Sequence, residues 1–155
     1  MSVVSPSLDR KIYVRSVGHV IVYDPRDGKC EKTEIPKEPY SRDVCVVDNV
    51  LYIYCIGVGL MWYNSKEKEW RVVNGISTLL WFPNFRLKVA LAEYNGNLAV
   101  LQQLSLKKSE TIVWCVMIAL ERNGEEITGK VAWFERLLSI TDDYKIMHCL
   151  ARTDS

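Results

Sequence analysis

Three features of the sequence point to an all-β fold, a partial β-propeller of about three four-stranded antiparallel blades. Short runs rich in β-branched and aromatic residues are separated throughout by turn signals. Residues 42–76, RDVCVVDNVLYIYCIGVGLMWYNSKEKEWRVVNGI, hold four such runs within 35 residues, the size of one propeller blade. The pattern also repeats at a fixed spacing: Tyr23-Asp24-Pro25 precedes Tyr63-Asn64-Ser65, and Cys30 precedes Trp70, by 40 residues in both cases.

In chain order, residues 1–8 are small and Ser-rich and read as a frayed lead-in. KIYVRS and HVIVYD follow as strands. The Asp27-Gly28 pair is a two-residue hairpin signal before KCEKTEI, so the first repeat (residues 10–36) shows three strands and lacks a clear first one. Pro36 and Pro39 break the chain between repeats, because proline cannot donate to a ladder. In the complete blade, DVCVV turns at Asp48-Asn49 into LYIYC. Gly57-Val58-Gly59 bends the chain into GLMWY, and a polar turn leads to WRVV, ended by Asn74-Gly75. The stretch GISTLLWFPN is the least regular. A third repeat spans residues 86–134: LKVALAEY, a type I′ pair at Asn95-Gly96, then NLAVLQQL, a polar loop, and TIVWCVMIAL. The length of that last run, its β-branched and aromatic start and the Asn123-Gly124 turn favour a strand, with a helix as the alternative. Residues 134–144 are read as containing a short helical turn. KIMHCLA (145–151) offers the start of a fourth repeat, and the whole chain is read as a single domain.

The 155 residues carry 48% hydrophobic and 25% charged side chains, the balance of a globular chain, with a net charge of +1. No basic field is available to gather phosphates, so nucleic acid is not an expected partner. No apolar run approaches the ~20 residues that span a bilayer, and the amino terminus lacks the basic start and apolar middle of a leader. A membrane is therefore not expected either. The five cysteines form no CxxC pair, and most lie in apolar strand runs, where a thiol packs as a small hydrophobe. That usage suits a reducing intracellular compartment, cytoplasm or nucleus.

A Tyr-Asp-Pro turn followed by a Trp seven residues after its Tyr resembles the second half of a Kelch repeat. The wording around it, continued in IVWCVMIALERNGEEITGKVAW (112–133), resembles the Kelch region of plant F-box/Kelch-repeat proteins over about residues 10–150. The resemblance implies a module that holds a protein target, as the substrate-recognition half of an adaptor in a Skp1–cullin–F-box ubiquitin ligase. No F-box-like helical segment is read here, which leaves association with Skp1 and cullin doubtful. Cys30 replaces an expected Trp, and the twin glycines of the repeat are reduced to Gly57 and Gly59. Tyr23, Tyr63, Trp70, Trp133, Gly57 and Gly59 are read as structural repeat positions, the aromatic residues packing between blades with their polar atoms on backbone groups. Three blades are fewer than the four of the smallest usual ring, so open blade edges and self-association are expected.

No catalytic constellation is legible. Gly57-Val58-Gly59 begins like a dinucleotide fingerprint but lacks its third glycine and its helix. His19 and His148 have no further ligand at metal spacing. Glu125-Glu126 and Asp142-Asp143 are adjacent, so in extended chain they point to opposite faces. The expectation is a binding module without enzyme activity, cofactor or metal. The alternatives are a small-molecule-binding or enzymatic propeller fragment, or a truncated product without function. Partner contacts are expected in the inter-strand and inter-blade loops, at Lys37, Tyr40, Trp81, Phe82, Asn84, Lys107 and Lys108. Trp81-Phe82 is the most interaction-like, although the pair would also serve to cover a blade edge.

Overall fold

The computed structural model describes residues 2–4, 11–16, 19–34, 44–55, 58–76, 87–105 and 111–140. They form three four-stranded sheets, each antiparallel and each with its strands in chain order. The first holds β1 (Ser2–Val4), β2 (Ile12–Ser16), β3 (His19–Asp24) and β4 (Lys29–Glu34). The second holds β5 (Cys45–Val47), β6 (Val50–Cys55), β7 (Gly59–Asn64) and β8 (Glu69–Val72). The third holds β9 (Leu87–Tyr94), β10 (Asn97–Ser105), β11 (Thr111–Asn123) and β12 (Glu126–Ile140). These are three blades of a partial Kelch-type propeller.

The lead-in read as frayed instead supplies the first strand: Ser2, Val3 and Val4 pair with Arg15, Val14 and Tyr13. Three residues were too short a run to be legible beside Ser5 and Pro6. Of residues 134–144, expected to contain a short helical turn, 134–140 continue β12, because the ladder to β11 extends to Thr111↔Ile140, and 141–144 lie outside the described residues. TIVWCVMIAL is a strand, as its β-branched start requires.

Hairpin chemistry follows the turn residues closely. Asp48 and Asn49 have φ of 47° and 63°, and Asn95 and Gly96 have 49° and 79°, the two left-handed positions of a type I′ turn. Asp27-Gly28 is not a two-residue turn. Asp24 pairs with Lys29 across a four-residue loop, which Gly28 closes at φ 72° by donating its N–H to the Asp24 carbonyl at 2.9 Å. The second blade repeats this loop between Asn64 and Glu69, where Lys68 takes the left-handed position at φ 55°.

Side-chain alternation sends the two faces of β6 and β7 to different neighbours. Leu51, Ile53, Cys55 and Met61 pack with Tyr13 and Val20 of the first sheet. Tyr52, Tyr54, Leu60 and Trp62 pack with Leu98, Val100, Val116 and Ile118 of the third. All six residues of β6 are therefore buried. A smaller cluster, Ala92, Ala99, Cys115 and Met117, lies on the opposite face of the third sheet. Cys45, Cys55 and Cys115 are buried in these layers, and Cys30 is exposed.

The chain leaving β8 is stitched to the third blade. Asn74 donates to the Ile127 carbonyl at 2.9 Å and accepts from the Gly129 N–H at 2.8 Å. Val73 and Ile76, both fully buried, come down on Gly129. A Cβ there would stand 3.0 Å from Ile76 Cδ1 and 3.1 Å from both Val73 Cγ1 and Ile118 Cγ2.

Two outcomes follow. Gly129→Ala pushes three core side chains apart and lowers stability by about 1–3 kcal/mol, the usual range for overpacking, read as a fall in the urea midpoint at constant slope. Lys68→Gly removes a left-handed non-glycine residue from an exposed loop. Its melting temperature rises, with a gain of about 0.5–1 kcal/mol after the glycine's own entropy is offset; a lower melting temperature would show that the Lys68 side chain matters more than its backbone.

Candidate functional site

Two features of the described residues are shaped to receive another group, and both lie where one blade meets the next. The first is an open cleft of about 650 Å³ between β4 of the first blade and β7–β8 of the second. Its aromatic wall is a cross-strand pair: Tyr63 lies opposite Trp70, with ring centroids 5.2 Å apart and planes tilted by 48°. The counterpart 40 residues earlier pairs Tyr23 with Cys30. Across the cleft stand Glu31 and Thr33, which share the inward face of β4 because they pair with Val22 and Val20. Lys68 Nζ meets Glu31 Oε1 at 3.5 Å at the mouth, an exposed ion pair that holds the two blades together only weakly. The Trp70 Nε1 atom is buried with no hydrogen-bond partner, contrary to the expectation of a bond to backbone.

The second feature is a cavity of about 110 Å³ at the other seam, lined by Val47, Asp48, Val50, Tyr52, Leu120, Arg122 and Ile127. It exists because the β11–β12 hairpin is longer than its counterpart in the second blade. Val50 and Asn97 each follow a type I′ turn, so Tyr52↔Trp62 corresponds to Ala99↔Met117. From there β7 runs two residues to its turn, whereas β11 runs six, to Asn123. The extra turn places the Arg122 guanidinium 5.5 Å from the centre of the Trp62 ring, and Arg71 lies 5.9 Å from the same ring. Each guanidinium is attracted by the ring quadrupole. Arg71 also bonds Glu69 and donates to the Glu125 carbonyl at 2.7 Å, and the Glu69 carboxylate, followed by that of Glu125, holds its proton more firmly than usual. Burial pushes the Tyr52 phenol well above its ordinary range, with Asp48 adding to the shift and Arg122 opposing it.

The same register corrects the reading of Trp133. Trp70 pairs with Tyr63, but Trp133 pairs with Met117, the counterpart of Trp62. Val131, opposite Ile118, holds the place of Trp70 and packs against the core, and Trp133 is left 44% exposed. A bulge at the Met117/Ile118 step and the added hairpin length move the tryptophan two residues out of phase. Gly59 opens β7 with φ 102°. Gly57 and the proposed contact residues Lys37, Tyr40, Trp81, Phe82, Asn84, Lys107 and Lys108 lie outside the described residues. The role of Arg122 was missed because ERNGEE reads as a turn, and nothing local announces the length of the hairpin behind it. Among the described residues no group of three His, Cys, Asp or Glu side chains is placed to hold a metal, and no helix is long and apolar enough to cross a membrane.

Comparison with known proteins adds a family. The profile described as "FKB95, Kelch-repeats domain" matches residues 1–138. An F-box/kelch-repeat protein of Arabidopsis thaliana is 47% identical over 157 residues, which cover 99% of this chain and 43% of the relative. Two further F-box/kelch-repeat proteins of that plant are 37% and 40% identical over 93% and 94% of the chain, each covered over 39% of its own length. The chain thus spans about two fifths of these relatives.

The turn beside the cleft carries a titration. Arg26 donates its backbone N–H and its Nε to Asp24 Oδ1, both at 3.0 Å, and its Nη2 to Oδ2 at 2.8 Å. These side-chain and backbone bonds lower the carboxyl from its ordinary 3.8 to about 2. A depressed carboxyl contributes stability above its unfolded value that is lost as pH falls through the folded one. Asp24→Asn keeps the acceptor for the Arg26 N–H and abolishes the titration. The stability difference between wild type and Asp24→Asn therefore shrinks between pH about 4 and about 2; in urea titrations, a difference constant over that range would refute the assignment.

Proposed function

This chain belongs to the FKB95 Kelch-repeats family, and from that premise we propose that it is a protein-binding module without catalytic activity, working inside the cell. The observation that carries the reading is the direction of the strands. In every blade the sheet is antiparallel and in chain order, so the β2–β3, β6–β7 and β10–β11 connections leave from the same end as β4 and β8. The connections containing Lys37, Tyr40, Trp81, Phe82, Asn84, Lys107 and Lys108 all start from that end. The tight turns at 48–49, 65–68, 95–96 and 124–125 lie at the other. A rigid scaffold with its two longest connections, residues 35–44 and 73–86, at one end is suited to hold a partner there.

Within the family, the finer role is recognition of a target for a Skp1–cullin–F-box ubiquitin ligase, as the F-box/kelch-repeat names of the relatives suggest. Trp81 and Phe82 supply the compact aromatic anchors that dominate protein interfaces. Affinity capture from plant extract with the tagged chain, compared quantitatively with a Trp81→Ala/Phe82→Ala variant, tests both levels. The expected outcome is a defined set of proteins whose recovery falls at least about tenfold in the variant. Equal recovery by both chains rejects the binding surface. A Skp1-type protein and a cullin among the variant-insensitive proteins support the ligase role, and their absence removes it.

A further inference from the structure

The cavity at the second seam carries chemistry that protein binding leaves unused. Val47, Val50, Leu120 and Ile127 supply its apolar wall, and three polar side chains, those of Asp48, Tyr52 and Arg122, also line it. Apolar walls with a few convergent polar groups are the usual build of a small-molecule site. At about 110 Å³ the cavity has the space of several waters. Tyr52 is 2% exposed, and its hydroxyl makes no hydrogen bond to a described residue. A buried hydroxyl without a partner is unfavourable until another group meets it. Burial keeps the phenol protonated, and it feels the charges of both Asp48 and Arg122, so it stands near them as a hydrogen-bond donor. The Arg122 guanidinium is held from behind: its Nε donates to the Gly124 carbonyl at 3.2 Å, and the Trp62 ring lies 5.5 Å away. Among the described residues its two terminal nitrogens bond nothing, and neither does the Asp48 carboxylate. Two opposite charges therefore line one small cavity without pairing with each other.

We propose that this cavity binds a small α-amino acid as its zwitterion, with the carboxylate on the Arg122 guanidinium, the ammonium on Asp48 and a short aliphatic side chain against the apolar wall. A ligand carrying both signs satisfies both charges at once, which a simple anion or cation does not. The guanidinium fork matches a carboxylate, and the Tyr52 hydroxyl donates to the same group. Val47, Val50, Leu120 and Ile127 reward an aliphatic side chain by removing its surface from water. The small volume favours alanine or valine over an aromatic amino acid. The inference goes beyond the proposed target binding and does not rest on it, since Asp48, Tyr52 and Arg122 lie outside the connections assigned to the target.

Isothermal titration calorimetry of the full chain with L-alanine, L-valine and L-phenylalanine tests it, beside isobutylamine and isovalerate, which are valine without its carboxylate and without its ammonium. Alanine or valine binds at millimolar concentration or below, and phenylalanine and both single-charge analogues bind at least about tenfold more weakly. Arg122→Gln and Asp48→Asn each weaken the amino acid by at least about tenfold with an unchanged circular dichroism spectrum; asparagine tolerates the left-handed backbone at this turn position. Tyr52→Phe weakens binding severalfold, yet melts no lower than wild type, because the hydroxyl it removes had no partner in the fold. A cavity that holds water alone gives no heat with any of the amino acids, and that result overturns the proposal. Equal binding of phenylalanine or of either single-charge analogue, or affinity indifferent to Arg122→Gln and Asp48→Asn, overturns it as well.

Discussion

The structure depends on the second blade having no solvent face. A strand shows alternate side chains to opposite sides of its sheet, and in β6 both sets are apolar: Leu51, Ile53 and Cys55 toward the first blade, Tyr52 and Tyr54 toward the third. Such a strand is stable only when a sheet covers it on each side, so its sequence VLYIYC demands neighbours fore and aft. The first and third blades are held by that demand. The larger side chains go to the seam with the third blade, where Trp62 is 1% exposed. Burial of one such side chain is worth several kcal/mol, about 3–5 when an aromatic is truncated to alanine.

Stacking alone does not set how far one blade slides along the next. Backbone contacts at Asn74 do so, and they require glycine on both sides of the approach. Gly75 has φ 89°, and a Cβ on it would stand 2.8 Å from the Gly129 carbonyl oxygen; Gly129 in turn leaves room for Val73 and Ile76. The long β11–β12 hairpin completes the fixing beside the same contacts, where Arg122, opposite Ile127, lies over Trp62. Buried apolar surface supplies the attraction between blades, and two glycines and a guanidinium supply the register.

The sequence made the second blade legible because every signal in it is local. Asp48-Asn49 is a pair that tolerates two left-handed residues, and the spacing that links Tyr23 with Tyr63 reappears as the pairs Tyr23↔Cys30 and Tyr63↔Trp70. Trp133 misled for the complementary reason. Matching it to Trp70 assumes equal hairpin lengths, and the bulge near Ala132 leaves no mark in residue type. The first strand was lost because three residues carry too little periodicity. At the candidate clefts the same limit applies: Tyr63 and Trp70 were visible as repeat positions, but that β4 would bring Glu31 and Thr33 opposite them is a matter of packing between sheets. Arg122 became a Trp62 partner only through four extra residues of hairpin.

The outer strands show how a repeated architecture diverges without losing its core. Inward positions must match the neighbouring blade, so Trp62, Met117 and their partners are constrained from both sides. An outermost strand meets the next blade along one face and leaves its far backbone edge to solvent. There, change costs little. The first blade uses that freedom for charge, the second for the Arg71 bonds to Glu69 and the Glu125 carbonyl, and the third for length and exposed apolar residues. The diversity that distinguishes this chain from a regular propeller is therefore concentrated at its rim and in the connections, the parts that a stacked core leaves free to meet other molecules.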